Sequence, residues 1–592
     1  MNLPVIKKEN RYRRSIVNFG GINTTRAFSP GEMSDCRGIS HSLFPSVTQR
    51  NKSEQVFECV SPSAVIYAEK ECIAADGALF YDRKQVGKLS EGKKQLVTLG
   101  SKIIVFPDKL CYDTEKDTLT DLRGFCESAG AEVIFTTDKV SVSDGAYETV
   151  YESETLRFGK ESRIMCYESA AIKGGELFLS GFSLKGPEEL TEGSIVFEKC
   201  ESNQYRIVES VVYSDDTGIY SAECSLVTVR NSVKNIFSAF KKGDMIEIGG
   251  CSNHPGNNIT ATVISKTGTS LTFASGTFSE GTETASVSFQ RKIPDFTCIC
   301  SFGNRIWGCE GSTIYASALG DAERFFTYNN LSTDSFTVES DTADAFTACV
   351  SYGNGCLFFK ENACYKLYGT RPSNFQLVKS FGSGILRSDA GSIADAGGKI
   401  IYKGPDGVYV FYGGVPVCVS EKLGKPFLEN AVAGSDGRLY YLAADTDGER
   451  EEFVWDIEKN LWSKSGVQGS LGYSYYGGNM YRLRRDGLEK IKEEADGECE
   501  WSITLCPFNE EWHRTKNYSR IHISDELFEG AYICTQVKSD DSPWKTVSTV
   551  YGDKKRYVDI PCPVKSCHEL QIRISGKGKS ILESVVREFS VN

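Results

Sequence analysis

Long apolar runs are missing from this sequence. No stretch of eighteen consecutive apolar residues occurs in it, so no helix is expected to cross a membrane. Helical periodicity is almost absent, which excludes a bundle or a coiled coil. Histidine and methionine are scarce, five of each in 592 residues. The histidines, His41, His254, His513, His522 and His568, are too scattered to compose a metal motif. Clustered basic charge is lacking too. A net charge of -12 argues against an outer surface that wraps nucleic acid, although an acidic wall suits passive contact with DNA in a channel. No low-complexity block appears. No signal peptide is expected, because Lys7, Lys8, Arg11, Arg13 and Arg14 lead into no apolar segment, and this basic start reads as solvated.

What is present is strand chemistry. Aromatics make up 11% of the chain and there are 56 glycines. Short Val-, Ile-, Tyr-, Phe- and Thr-bearing runs punctuated by glycine are typical of pleated strands and tight turns, so the fold class is all-β. The 21 cysteines are odd in number and do not cluster along the sequence. Cys298, Cys300, Cys309, Cys349, Cys356, Cys364 and Cys418 sit inside apolar runs and read as small hydrophobes. That favours a reducing cytoplasm during folding over a disulfide scaffold.

One pattern recurs from about Phe296 to Glu493. A Gly or Asn turn leads into an apolar run, and a second turn leads into a Tyr-bearing strand. It appears at Gly303-Asn304-Arg305-Ile306-Trp307, at Gly353-Asn354-Gly355-Cys356-Leu357 and at Gly397-Gly398-Lys399-Ile400. It returns at Ser435-Asp436-Gly437-Arg438-Leu439 and at Gly477-Gly478-Asn479-Met480-Tyr481. The spacing of roughly 40 to 50 residues is that of a four-stranded propeller blade. Two earlier copies, around Asp76-Gly77-Ala78 and Gly100-Ser101-Lys102, precede a long interruption. The count is seven blades, with the unit around Leu439 and Trp462 the least regular. A β-propeller of about six to seven blades is therefore expected.

The chain divides accordingly. Residues 1–60 read as an extended N-terminal arm with too little apolar sequence for its own core. Residues 61–123 hold the first blades. Residues 124–290 form an inserted small β-barrel or sandwich, with one short helix from Ser232 to Phe240. Residues 291–495 hold the remaining blades, and residues 496–592 a C-terminal β-sandwich. Insertions of this kind sit on loops, where function is often placed.

No catalytic, cofactor-binding or metal-binding residue is nominated. Cys298-Ile299-Cys300 is too tightly spaced for a zinc knuckle, and Cys562 with Cys567 and His568 lacks a second ligand pair. A sialidase needs an arginine cluster, a Tyr–Glu pair and Asp-box turns, and Ser539-Asp540-Asp541-Ser542-Pro543-Trp544 is an imperfect box outside the repeats. No carboxylate pair stands out for glycoside hydrolysis. Gly87 with Gly92-Lys93 has phosphate-loop spacing, but Lys94 stands where Ser or Thr is needed; Gly578-Lys579-Ser580 has the ending, but Arg573 replaces the upstream glycine. No nucleophile elbow appears. The sequon Asn258-Ile259-Thr260 is expected by chance. Tyr473, Tyr475 and Tyr476 form a candidate sugar-stacking platform, with packing as their plainer role.

The run from Phe19-Gly20-Gly21-Ile22 to Pro45-Ser46-Val47-Thr48-Gln49-Arg50 resembles the opening arm of tailed-phage propeller proteins. Gly303-Asn304-Arg305-Ile306-Trp307-Gly308, Ile314-Tyr315-Ala316-Ser317-Ala318-Leu319-Gly320-Asp321 and Phe325-Phe326 look like their blade signature. Phe358-Phe359-Lys360-Glu361, Tyr365-Lys366-Leu367-Tyr368-Gly369 and Gly404-Pro405-Asp406-Gly407-Val408-Tyr409 continue it. The family is the tail nozzle and packaged-DNA stabilisation proteins of short-tailed phages. The resemblance covers the arm and the blades, not the inserted modules or the terminal sandwich. It implies a structural virion protein, not an enzyme and without cofactors, made in the bacterial cytoplasm and incorporated in the tail. There it would form a homo-oligomeric ring, a hexamer by the resemblance, below the portal and adaptor. The ring would extend the DNA conduit, retain packaged genome until ejection and dock tail fibres or spikes, without inserting into a membrane. The alternatives are a glycan-binding propeller that reads a receptor and a propeller glycoside hydrolase.

Overall fold

The computed structural model describes residues 11–50, 53–143, 155–158, 163–173, 176–185, 195–201, 204–208, 221–274, 278–328, 331–424, 428–492, 499–511, 513–552 and 554–591, with backbone alone over 137–228. Seven four-stranded antiparallel sheets carry the repeat. They span 64–88, 95–121, 298–339, 348–381, 394–418 and 429–468, and the seventh joins 470–491 to Glu54–Glu58. The strand from the chain's beginning thus forms the outer edge of the last blade, with Leu488 opposite Phe57. Pairing first with last closes the ring and removes the free sheet edges that an open array would leave.

The hairpins follow from turn chemistry. Phe302 pairs with Arg305 across Gly303-Asn304, both at positive φ (59° and 56°). Two left-handed residues make the turn whose twist matches the flanking strands, and Gly and Asn are the residues that adopt it at least cost. Gly477-Gly478 does the same in blade 7. The second strands that follow are buried almost throughout, as in Gly355–Phe359 and Ile400–Lys403. Their apolar runs are explained by neighbouring blades covering both faces. The unit around Leu439 and Trp462 is not the irregular one: its strands run seven to eight residues. Blade 5 is the least regular, since its inner and outer strands are two residues each, Ala394–Asp395 and Val417–Cys418.

Residues 11–49 are not an extended arm. Arg11–Ile16 pairs with Val585–Ser590, Val47 faces Leu582, and Cys36 faces Ile503. These segments are strands in both sheets of the C-terminal sandwich. Phe19, Ile22, Met33, Cys36 and Ile39 are buried with sandwich and blade 5–6 residues in one core. The apolar residues are too few for an independent core because they complete another one. The same segment seals the outer strand of blade 6: Ile22 N–H donates to the Trp462 carbonyl and Gly38 N–H to that of Lys464.

The insert leaves after Thr118–Asp121, the outer strand of blade 2, and returns before Cys298–Phe302, the inner strand of blade 3. Its strands join one thirteen-stranded sheet with a separate core around Phe237, Phe240, Phe273 and Phe289. Ser232 to Phe240 forms bends and turns, not the expected helix, and its Phe237 and Phe240 are buried in the core of the insert. Buried Arg291 fastens the insert to blade 2, bonding to Asp244 at 2.9 Å and to the Leu122 carbonyl at 2.5 Å.

In the sandwich Asp525 is fully buried and accepts from Ser580 Oγ at 2.9 and 3.1 Å. Burial pushes its carboxyl up to about 6 despite that hydroxyl. A raised carboxyl favours the protonated folded state, so its contribution is complete below the unfolded value near 3.8 and is lost as pH rises through about 6. Asp525→Asn is expected to gain about 2 to 3 kcal/mol at pH 8 and nothing at pH 3.5. Denaturation midpoints at the two pH values check this; equal gains at both would refute it.

Candidate functional site

On the face formed by the turns between first and second strands, the inner ends of blades 2 to 5 surround a cavity of about 560 Å³. The hairpin geometry described above brings these turns together, and their glycines keep the mouth open. Thr98, Ser301, Asn304, Ser351 and Tyr352 offer hydroxyls and an amide, and Asp395 is the one carboxylate among the described lining residues. Asp395 Oδ1 accepts from Gly398 N–H at 2.7 Å. This arrangement can hydrogen-bond a neutral polar ligand. A carboxylate pair is not part of this lining.

A second cavity, of about 420 Å³, lies between the N-terminal segment and blade 6. Two of its four lining carboxylates are paired with cations: Lys464 Nζ lies 2.9 Å from Glu451 and 3.2 Å from Asp35, and Arg37 lies 2.7 Å from Glu451. Burial would lower the Lys464 ammonium, but Glu451 and Asp35 more than offset it and hold it above its ordinary value.

A Tyr–Glu–Arg constellation does exist, in the wall between blades 6 and 7. Glu452 and Arg482 are 1% and 3% exposed and lie 2.8 Å apart. Arg482 also meets Glu489 at 3.1 Å and donates to Ser53 Oγ, next to the closing strand. Tyr473 and Ser470 hydroxyls donate to Glu452. Burial pushes the Glu452 carboxyl up, but Arg482 and these hydroxyls outweigh it and hold it below the usual range. The charged centre of the group, Glu452 with Arg482, is buried, while Tyr473 and Ser53 are half-buried at its edge, and the group ties blade 6 to blade 7 beside the closing strand. Tyr473 is therefore not part of a sugar platform; it is stacked on Tyr441 with centroids 6.0 Å apart. Tyr475 and Tyr476 are exposed, and Tyr476 stacks on Tyr67 of blade 1.

The remaining candidates separate. His41 is buried, its Nε2 at 3.1 Å from the Gly20 carbonyl. His254 Nδ1 lies 3.2 Å from buried Glu283. His522 sits within a strand between Asp559 and Glu588. His513 and His568, 55 positions apart, line one surface cavity of about 320 Å³ with Glu511 and Glu569. Sequence spacing carried no signal for that meeting. Among the described residues, no three His, Cys, Asp or Glu side chains converge to hold a metal ion. Lys94 of the phosphate-loop-like run is buried against Asp108 at 2.7 Å, which removes it from a phosphate role. Cys298 and Cys300 do gather partners, as described below.

No family model and no curated protein matches the chain. Solved structures do. An exo-β-1,3-galactanase from Phanerochaete chrysosporium, with galactose, aligns at 10% identity over 50% of this chain and 96% of that one, TM-score 0.20. BamB from Moraxella catarrhalis aligns at 8% identity over 75% and 96%, TM-score 0.31. The extracellular domain of a one-component system protein from B. thetaiotaomicron aligns at 8% identity over 95% and 98%, TM-score 0.20. The expectation that the chain is not an enzyme is corrected by these neighbours, which include a glycoside hydrolase. The physical reason is that acid and base carboxylates need proximity in space, so strands distant in sequence can supply them without any linear motif. At such identities and TM-scores these neighbours assign no activity to this chain. The chain is an all-β protein built on a β-propeller.

Proposed function

We propose that this chain is a subunit of a homo-oligomeric ring in a phage tail, of the nozzle and packaged-DNA stabilisation kind. The observation that carries the reading is a two-sided build. The insert departs on the face where outer strands lead to inner strands. The sandwich departs from Ile491, the end of blade 7's third strand, on the opposite face. A closed disc with one module leaving between blades 2 and 3 and a second docked on the outer strand of blade 6 suits a subunit that must touch neighbours on more than one side, and such rings close by heterologous contacts. The resemblance of the arm and blade residues supports the same reading. A net charge of -12 suits a conduit to which phosphate does not adhere. In this role the ring extends the conduit below the portal and adaptor, retains the genome and docks fibres or spikes.

Purified protein, imaged by electron microscopy alone and with its adaptor, is expected to form closed rings in at least the second condition. A monomer under both conditions would sink the proposal. A monomer that instead retained oligosaccharides on a glycan array would favour a receptor-reading role for the polar cavity at the channel mouth.

A further inference from the structure

Five cysteines converge where blade 3 meets blade 4. Cys298 and Cys300 lie on the inner strand of blade 3 and Cys309 on its second strand, where it faces Cys298. Cys349 and Cys356 lie on the first two strands of blade 4. All five belong to one core with Trp307, Phe346 and Phe358. The Cys300 and Cys356 sulfurs are 4.0 Å apart. Four of the five residues are buried, and Cys349 is half-buried as a residue.

We propose that Cys300 and Cys356 are a hydroperoxide-oxidised pair whose disulfide ties blade 3 to blade 4. The geometry requires the two sulfurs to close from contact distance to a bond of about 2.05 Å, across an interface already in place. Hydrogen bonds from Cys349 and Cys356 lower the Cys300 thiol, against the opposing effects of burial and of Cys298, which favours thiolate, the nucleophilic form. By contrast, burial alone raises Cys72 and Cys126 to about 12, and these thiols are expected to stay inert.

The chemistry balances. The Cys300 thiolate attacks one oxygen of hydrogen peroxide, the O–O bond breaks, and hydroxide leaves and takes up a proton as water. The resulting sulfenic acid is attacked by Cys356 sulfur; the S–O bond breaks, the Cys356 proton goes to the departing oxygen, and a second water leaves. Two thiols lose two electrons and peroxide gains them. The bond would close the chain from 300 to 356 and rigidify the two blades that follow the insert. The inference does not rest on the ring reading, and its failure would leave that reading untouched.

The test treats reduced full-length protein with hydrogen peroxide under native conditions, followed by denaturing alkylation and peptide mapping. A Cys300–Cys356 cross-linked peptide is expected, reversed by dithiothreitol and accompanied by a higher thermal midpoint. Cys300→Ser and Cys356→Ser should each abolish it, and Cys72→Ser should not. Should one serine variant misfold, the other, together with mapping of the unmodified protein, still decides the matter. Free Cys300 and Cys356 after treatment would overturn the proposal, as would over-oxidation without a cross-link or a cross-link from Cys300 to Cys349.

Discussion

Replacing Arg482 with methionine is expected to cost about 3 to 5 kcal/mol, the range for removing one member of a buried ion group. The side chain is 3% exposed and answers two carboxylates, Glu452 at 2.8 Å and Glu489 at 3.1 Å. Without it Glu452 keeps its hydroxyl donors but loses the cation that holds its carboxyl low. An unpaired charge at 1% exposure must then either stay buried at high cost or take up a proton. Ser53, which also receives a bond from Arg482, lies beside the closing strand Glu54–Glu58. Loss of stability should therefore appear together with faster amide exchange and protease cleavage in that strand. The double variant Glu452→Gln with Arg482→Met should recover part of the loss, because the orphaned charge is gone. A single variant as stable as the parent would refute the assignment of ring closure to this group.

Trp462→Ala is the second large effect, expected at about 3 to 5 kcal/mol for a buried aromatic. Trp462 lies at the seam between blade 6 and the N-terminal segment. Its Nε1 donates to the Val419 carbonyl at 2.7 Å, and its ring stacks on Trp455 at 5.9 Å. Its own carbonyl accepts from Ile22. Gly21 passes so close that a Cβ there would meet Trp462 backbone N and O at 2.7 Å. Removing the indole leaves a cavity under strands belonging to both blade 6 and the sandwich, which share one core. Chemical denaturation should show a lower midpoint for both modules together. A sandwich that keeps its midpoint while blade 6 loosens would show that the shared core does not couple them.

Much of the architecture was legible because it is local. Gly303-Asn304 and Gly477-Gly478 specify their hairpins by backbone conformation alone, and apolar runs between such turns specify covered strands. The recurrence of that unit led to seven blades, the number of four-stranded sheets that carry it. Blade 6 reads as irregular in sequence because its bulged and lengthened strands blur the pattern. Blade 5 keeps its turn signals even where ladder pairing shrinks to two residues. The candidate sites were much less legible. Nothing near Tyr473 signals that Glu452, Arg482 and Ser53 will surround it, and Cys298-Ile299-Cys300 does not reveal Cys349 and Cys356 on the next blade.

Within the blades the local sequence carries the strands, their turns and the number of repeats, and across the chain it shows that helices play little part. These properties depend on side-chain periodicity and on φ preferences within a few residues. Only the tertiary structure decided how the ring closes, since Leu488 finds Phe57 across more than four hundred positions. It alone decided that the first fifty residues complete a sandwich at the far end of the chain, through pairs such as Val47 with Leu582. It also decided which charges and thiols meet. Such pairings are selected by complementary edges and shared cores after the local elements exist, and linear spacing carries no record of them.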